Sequence, residues 1–299
     1  MTAFRITQRS IAQRTTDNLQ YALRRMATTQ GQLSSGRLLQ RASDNPVGAV
    51  SALRYRTEIR QTEQYARNAQ DGLGWLGTID QTLTNALDYT RRARDLSVQA
   101  VNGATGPDSK RALAMEIYAL RDSLIGLANT EHLGRPVFGG TAADVKPYAA
   151  DGTFQIPEPA ASGIVERAIA PNERVKVNVN GPAVFGADPN NLFNVLTDLA
   201  DDLMAGDVSN MAGHLNALDA RTGNIIDALG EVGARYNRVE TMKQRADDQA
   251  VTLRGSLSEV EDIDLPATIM DMQLQETAYK AALSATARVL QPSLVDFLR

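Results

Sequence analysis

Between Pro46 and Asn102 the chain carries no proline, and apolar or small residues return in steps of four and three through Ile79, Leu83, Ala86, Thr90, Ala93, Ser97 and Ala100. That spacing predicts a single helix, because a 4/3 step keeps one stripe of a 3.6-residue turn facing one partner. At 1.5 Å per residue such a helix spans roughly 85 Å, longer than a globular domain needs. The same register returns near the other end through Ile225, Leu229, Val232, Tyr236, Val239, Lys243, Ala246, Ala250, Leu253, Leu257 and Val260. Helices of this length must pair along their length to bury their stripes.

Two shorter heptad segments flank them. Ala12, Thr16, Leu19, Leu23, Met26, Gln30 and Leu33 form a seam with polar gaps, and Ser34, Ser35 and Gly36 end it. Asn45 followed by Pro46 reads as the N-cap and first residue of the next helix. At the far end Asp264 and Pro266 open a last helix carrying Ile269, Met272, Glu276, Tyr279, Leu283, Thr286 and Leu290. It continues into Leu294, Phe297 and Leu298, an apolar chain end that calls for a partner. Asp108 opens a further helix through Leu113, Ile117, Leu120, Leu124 and Leu127.

Between about 129 and 190 the pattern changes, and glycine and proline become frequent. In RVKVNVNG, Val175, Val177 and Val179 alternate with polar residues and run into Asn180-Gly181, which predicts a strand entering a hairpin turn. GTFQIP, through Phe154 and Ile156, predicts a second short strand. The expected fold class is therefore mainly α with a small β-rich insert. It is an elongated rod of long antiparallel coiled-coil helices with the two termini paired. Residues 1–45 with 262–299 form a terminal coiled-coil domain, 46–130 with 191–261 a helical-bundle middle domain, and 131–190 a β-rich outer domain.

One motif points elsewhere. In DGLGWLG, Gly72, Gly74 and Gly77 stand at the G-x-G-x-x-G spacing of dinucleotide-binding turns. That chemistry needs a buried strand before the glycines and a helix opening at them. The preceding RYRTEIRQTEQYARNAQ is highly charged and has no β-branched run. The glycines therefore belong inside the long helix, where each costs up to about 1 kcal/mol relative to alanine. Close helix or subunit approach is the expected compensation, making all three candidate packing positions.

Other chemistry is sparse. The absence of cysteine excludes disulfides, thiolate catalysis and cysteine metal sites. His132 and His214 have no partner at ligand spacing and are expected as lone loop residues. No catalytic constellation, cofactor site or metal site is expected. Ten arginines stand in residues 1–60 against Asp17, Asp44 and Glu58, while residues 187–231 carry eight acids against Arg221. The arginines have few interleaved aromatics, Tyr21 and Tyr55 among them, which argues against nucleic acid, although a cytoplasmic coiled-coil signalling or nucleic-acid-binding protein is the alternative of another class. No run approaches the ~18 apolar residues of a membrane span. Residues 1–10 lack an apolar core after their arginines, so export without a cleaved signal is expected.

Five stretches in order resemble the flagellin family. They are LSSGRLLQRASDNPVGA (33–49), RNAQDGLGWLGTIDQTL (67–83), RRARDLSVQAVNG (91–103), LANTEHLGRPVFGGT (127–141) and the C-terminal segment from Ser258. Within the family, SDNPV and the ending RVLQPSLVDFL are similar to hook-associated junction members more than to filament subunits. The resemblance implies a structural, non-enzymatic subunit of the extracellular flagellum, exported unfolded through the flagellar secretion channel. It implies a homo-oligomeric ring between a neighbouring hook-associated protein and flagellin, and an export chaperone at the C-terminal helix. Filament flagellin is the alternative. Assembly would run through Leu19, Leu23, Met26, Leu33, Ile269, Met272, Tyr279, Leu283, Leu290, Leu294, Phe297 and Leu298.

Overall fold

The computed structural model describes residues 8–101 and 106–290, with side chains over 13–101 and 106–287. Helices α1 (Gln8–Ser35), α2 (Pro46–Val101) and α3 (Pro107–Ala128) precede hairpin strands β1 (Glu131–His132) and β2 (Arg135–Pro136). A second hairpin, β3 (Glu166–Ala170) and β4 (Glu173–Lys176), leads to the short α4 (Gly181–Phe185). Then follow α5 (Leu192–Ala205), α6 (Met211–Glu261) and α7 (Leu265–Leu290). The chain is mainly α-helical, with long antiparallel helix pairs and a small β-rich insert, as its periodicity predicts. It divides into two compact units, Met1–Arg60 with Ala250–Arg299, and Gln61–Gln249.

The larger unit, 61–249, holds the apolar core. On α2 the buried positions Ala69, Gly72, Leu76, Ile79, Leu83, Ala86, Thr90, Ala93, Ser97 and Ala100 alternate in steps of three and four. On α6 the buried residues Met211, Leu218, Ile225, Val232, Val239 and Ala246 fall one heptad apart. The helices run antiparallel: Gly72 lies opposite Val239, Gly77 opposite Tyr236, and Arg94 bonds Asp219. The small residues of α2 let the backbones approach. The buried hydroxyls of Thr90 and Ser97 are satisfied by donating to the carbonyls of Ala86 (2.7 Å) and Ala93 (2.6 Å). Helix α3 packs on α5, whose N-cap Asn191 accepts from the Asn194 amide at 2.8 Å.

The insert joins this core through a cluster of aromatic rings, Phe138, Tyr148, Phe185 and Phe193, with centroids 4.9 to 5.8 Å apart. Gly152 has φ +90°, and a Cβ there would sit 2.5 Å from Phe193 Cβ, so glycine is required where the loop crosses the cluster.

Three sequence expectations are corrected here. Asn180-Gly181 does not turn a hairpin; it opens α4. The Gly181 amide donates to the Phe138 carbonyl at 3.0 Å, and a Cβ at Gly181 would lie 2.7 Å from Tyr148 Oη. The glycine serves close approach to the core, and the hairpin turn is instead at Pro171-Asn172, between paired Ala170 and Glu173. GTFQIP contributes only the bridge between Tyr148 and Phe154, not a strand. The histidines are not lone loop residues. His132 lies in β1, its Nδ1 3.0 Å from Thr78 Oγ1 and its ring 5.5 Å from Trp75, and His214 lies in α6 with Nε2 2.9 Å from Asp202 Oδ2.

The smaller unit is built differently. Helix α1 ends at Ser35 and turns at Gly36 (φ +69°). Arg37 bridges Asp262 in antiparallel fashion, the Leu38 amide donates to Glu261 O (2.7 Å), and the Ile263 amide donates to Gly36 O (3.2 Å). This tie sets the end of α1 beside the start of α7, so the two pack antiparallel, with Thr29 of α1 hydrogen-bonded to Gln275 of α7. Asn45 caps α2 by accepting from the Gly48 amide at 3.0 Å, and Asp264 caps α7 by accepting from the Ala267 amide at 3.2 Å.

Candidate assembly surface

A folded unit normally hides its large apolar side chains from water, because each fully buried one contributes about 1.5–3 kcal/mol. Among the described residues of the smaller unit, the buried apolar side chains are only Ala52 and Ala250. Among the described residues, the α1–α7 seam buries Thr29 and Thr286 and no leucine. Of the predicted assembly residues, Leu19, Met26, Leu33, Met272 and Tyr279 are half-buried, while Leu23, Ile269 and Leu283 are exposed. The side chain of Leu290, and Leu294, Phe297 and Leu298 altogether, lie outside the described residues.

The largest exposed apolar groups of this unit were not singled out by the heptad reading. Val47 is 78% exposed, and Val50 and Leu53 follow it on one side of the first turns of α2. Leu274 is 70% exposed on α7, beside Met270. Their signal was present as apolar residues off the seam, which a search for one stripe passes over. A cavity of about 230 Å³ opens in the same unit, with Leu39, Ala52 and Leu53 on its apolar side and Arg37, Arg41 and Arg56 on its charged side.

The glycines of DGLGWLG lie within α2 in the larger unit. A Cβ on Gly72 would meet Val177 at 3.4 Å, one on Gly74 would meet His132 at 3.2 Å, and one on Gly77 would meet Tyr236 at 3.9 Å. Trp75 beside them is buried, with the guanidinium groups of Arg135 and Arg167 5.9 and 5.8 Å from its ring. No group of three or more metal-ligating side chains occurs among the described residues. None of the helices in the described residues is long and apolar enough to cross a membrane.

One unit buries an apolar core, and the paired helices of the other leave large apolar side chains exposed. The family description "Bacterial flagellin N-terminal helical region" matches residues 6–142. The chain is 24% identical over 280 residues to flagellar hook-associated protein 3 of Escherichia coli K12, covering 85% of this chain and 87% of that one. It is also 24% identical over 280 residues to flagellin of Bacillus subtilis 168, covering 87% of each. Among solved structures it is similar to Bacillus cereus FlgL, with 26% identity and a TM-score of 0.61, over 69% of this chain and 99% of that one. These matches are all to flagellar proteins. The chain thus shows homology and a fold match to flagellins and flagellar hook-associated proteins, with FlgL among them.

Proposed function

We propose that this subunit is the adaptor at the hook–filament junction, forming a homo-oligomeric ring between a neighbouring hook-associated protein on one side and flagellin on the other. The observation that supports an assembly role is the exposed apolar surface of the smaller unit, whose described residues bury only two alanines among apolar side chains. Such a unit gains its burial from neighbouring copies, so α1 and α7 order when subunits pack, with folding and binding coupled. Similarity over 99% of the length of Bacillus cereus FlgL favours the junction over the filament.

In this reading, residues 1–45 with 262–299 form the inner domain, 46–130 with 191–261 the middle domain and 131–190 the outer domain. The assembly contacts run through Leu19, Leu23, Met26 and Leu33 with Ile269, Met272, Tyr279 and Leu283, and on through Leu290, Leu294, Phe297 and Leu298. An export chaperone covers the C-terminal helix before assembly.

The equal similarity to Bacillus subtilis flagellin supports a second reading as a filament subunit. Electron microscopy of flagella carrying a labelled copy separates the two. The junction role requires a band at the hook–filament boundary; label along the whole filament overturns it in favour of flagellin.

A further inference from the structure

Glu261 is the only charged residue that is buried among the described residues, at 5% exposure. It is also the last residue of α6, a 51-residue helix. A carboxylate is doubly unfavourable there: burial strips its water, and the helix C-terminus already carries partial negative charge. Two guanidinium groups compensate. Arg37 Nε lies 2.9 Å from Glu261 Oε1, and Arg56 donates to the same oxygen. Arg37 follows the end of α1 and Arg56 lies on α2, so one carboxylate joins three segments of the smaller unit. The backbone tie surrounds it, with Leu38 N on Glu261 O and Ile263 N on Gly36 O.

We propose that Glu261 is an ionic latch that positions the terminal helix pair, doing for this unit what an apolar core does elsewhere. An apolar core of the usual kind is missing at this place, since only Ala52 and Ala250 are buried apolar side chains among the unit's described residues. The arginine side chains remain 56% and 38% exposed, and the cavity between them opens to water. A latch of this kind is strong enough to hold a preferred arrangement and weak enough to be released, and dissolved salt screens it. Glu261 is a positioning residue: it acts on the tie, and through the tie on the surface that α1 and α7 offer. Only this last step rests on the assembly role proposed above.

Hydrogen exchange at two amides tests it in the full-length protein. In Glu261→Gln the amides of Leu38 and Ile263 are expected to exchange faster by roughly 10- to 100-fold, the range that loss of a charge-assisted hydrogen bond implies. In the unaltered protein their exchange should quicken as sodium chloride is raised, and in Glu261→Gln it should not respond. Arg56→Gln should reproduce the loss, Arg56→Lys should recover part of it, and Glu261→Gln with Arg56→Gln should be far from additive. The fluorescence of Trp75, in the other unit, should report unfolding of that unit unchanged. Unaltered exchange at Leu38 and Ile263 in Glu261→Gln overturns the latch, as does equal acceleration along residues 61–101 or salt-independent exchange in the unaltered protein. Sedimentation then measures association of the same variants. If the exchange effects appear but the unaltered protein does not self-associate, the latch stands and the assembly role fails.

Discussion

Replacing Gly77 by alanine should stabilise the larger unit, and the structure lets the three glycines of DGLGWLG be ranked. Each lies inside α2, where alanine in place of glycine contributes about 0.5–1 kcal/mol by restricting the unfolded chain. At Gly77 the nearest atom to the new Cβ is Tyr236 Cε2 at 3.9 Å, so the full gain is expected. At Gly72 the methyl would touch Val177 Cγ1 at 3.4 Å and Val239 Cγ1 at 3.8 Å, ordinary contacts at a buried position, and the gain should be similar. Gly74 differs: the methyl would press on His132 Cε1 at 3.2 Å. The ring cannot easily yield, because Thr78 holds its Nδ1 at 3.0 Å and Trp75 lies against it. Strain should cancel the helix gain there. For a unit spanning Gln61–Gln249, 1 kcal/mol shifts Tm by roughly 2–4 °C. Far-ultraviolet circular dichroism should therefore show increases of about 1–4 °C for Gly72→Ala and Gly77→Ala, and little change for Gly74→Ala. A lowered Tm in either of the first two would refute the reasoning, since it would mean that the space beside α2 is not available. Sedimentation of the same variants then separates roles. If they are stabilised yet fail to assemble, the glycines serve subunit approach; if they assemble normally, they are not packing devices.

Three further outcomes are expected. Tyr118 Oη donates to Asp201, and this hydrogen bond, with burial, pushes the phenol up to about 12. Because the folded pKa lies above the ordinary value of 10, the contribution is complete below pH 10 and lost as pH rises through about 12. Tyr118→Phe should cost about 1 kcal/mol at neutral pH and flatten that alkaline decline, as measured by urea unfolding. Phe193→Ala, which removes a ring from the aromatic cluster, should cost about 3–5 kcal/mol in the same assay. In the monomer, the amides of α1 and α7 should exchange faster than those of α2 within 61–101; strong protection of both terminal helices in a verified monomer would refute coupled folding and assembly.

Periodicity made the long helices legible. The 4/3 steps from Ile79 to Ala100 are the buried face of α2, and Ile225, Val232, Val239 and Ala246 are the buried heptad positions of α6. The stops were legible too, because Gly36, Asn45-Pro46 and Asp264 act through their own backbone geometry and side chains. Local chemistry of that kind needs no distant partner to be read. The insert was less legible. Gly181 looked like a turn residue, but what decides its conformation is Tyr148, more than thirty residues away, which leaves no room for a side chain.

The smaller unit shows the limit most clearly. Its seam positions were readable as a pattern, yet a pattern states which residues share a face and not whether anything covers it. Only the folded chain places Val47, Val50 and Leu274 in water and brings Arg37, Arg56 and Glu261 to one point. The sequence by itself determined helix length, capping and register, all properties of neighbouring residues along the chain. Tertiary structure alone decided which faces stay open and where a charge is buried, because burial depends on contacts between segments that are distant along the chain.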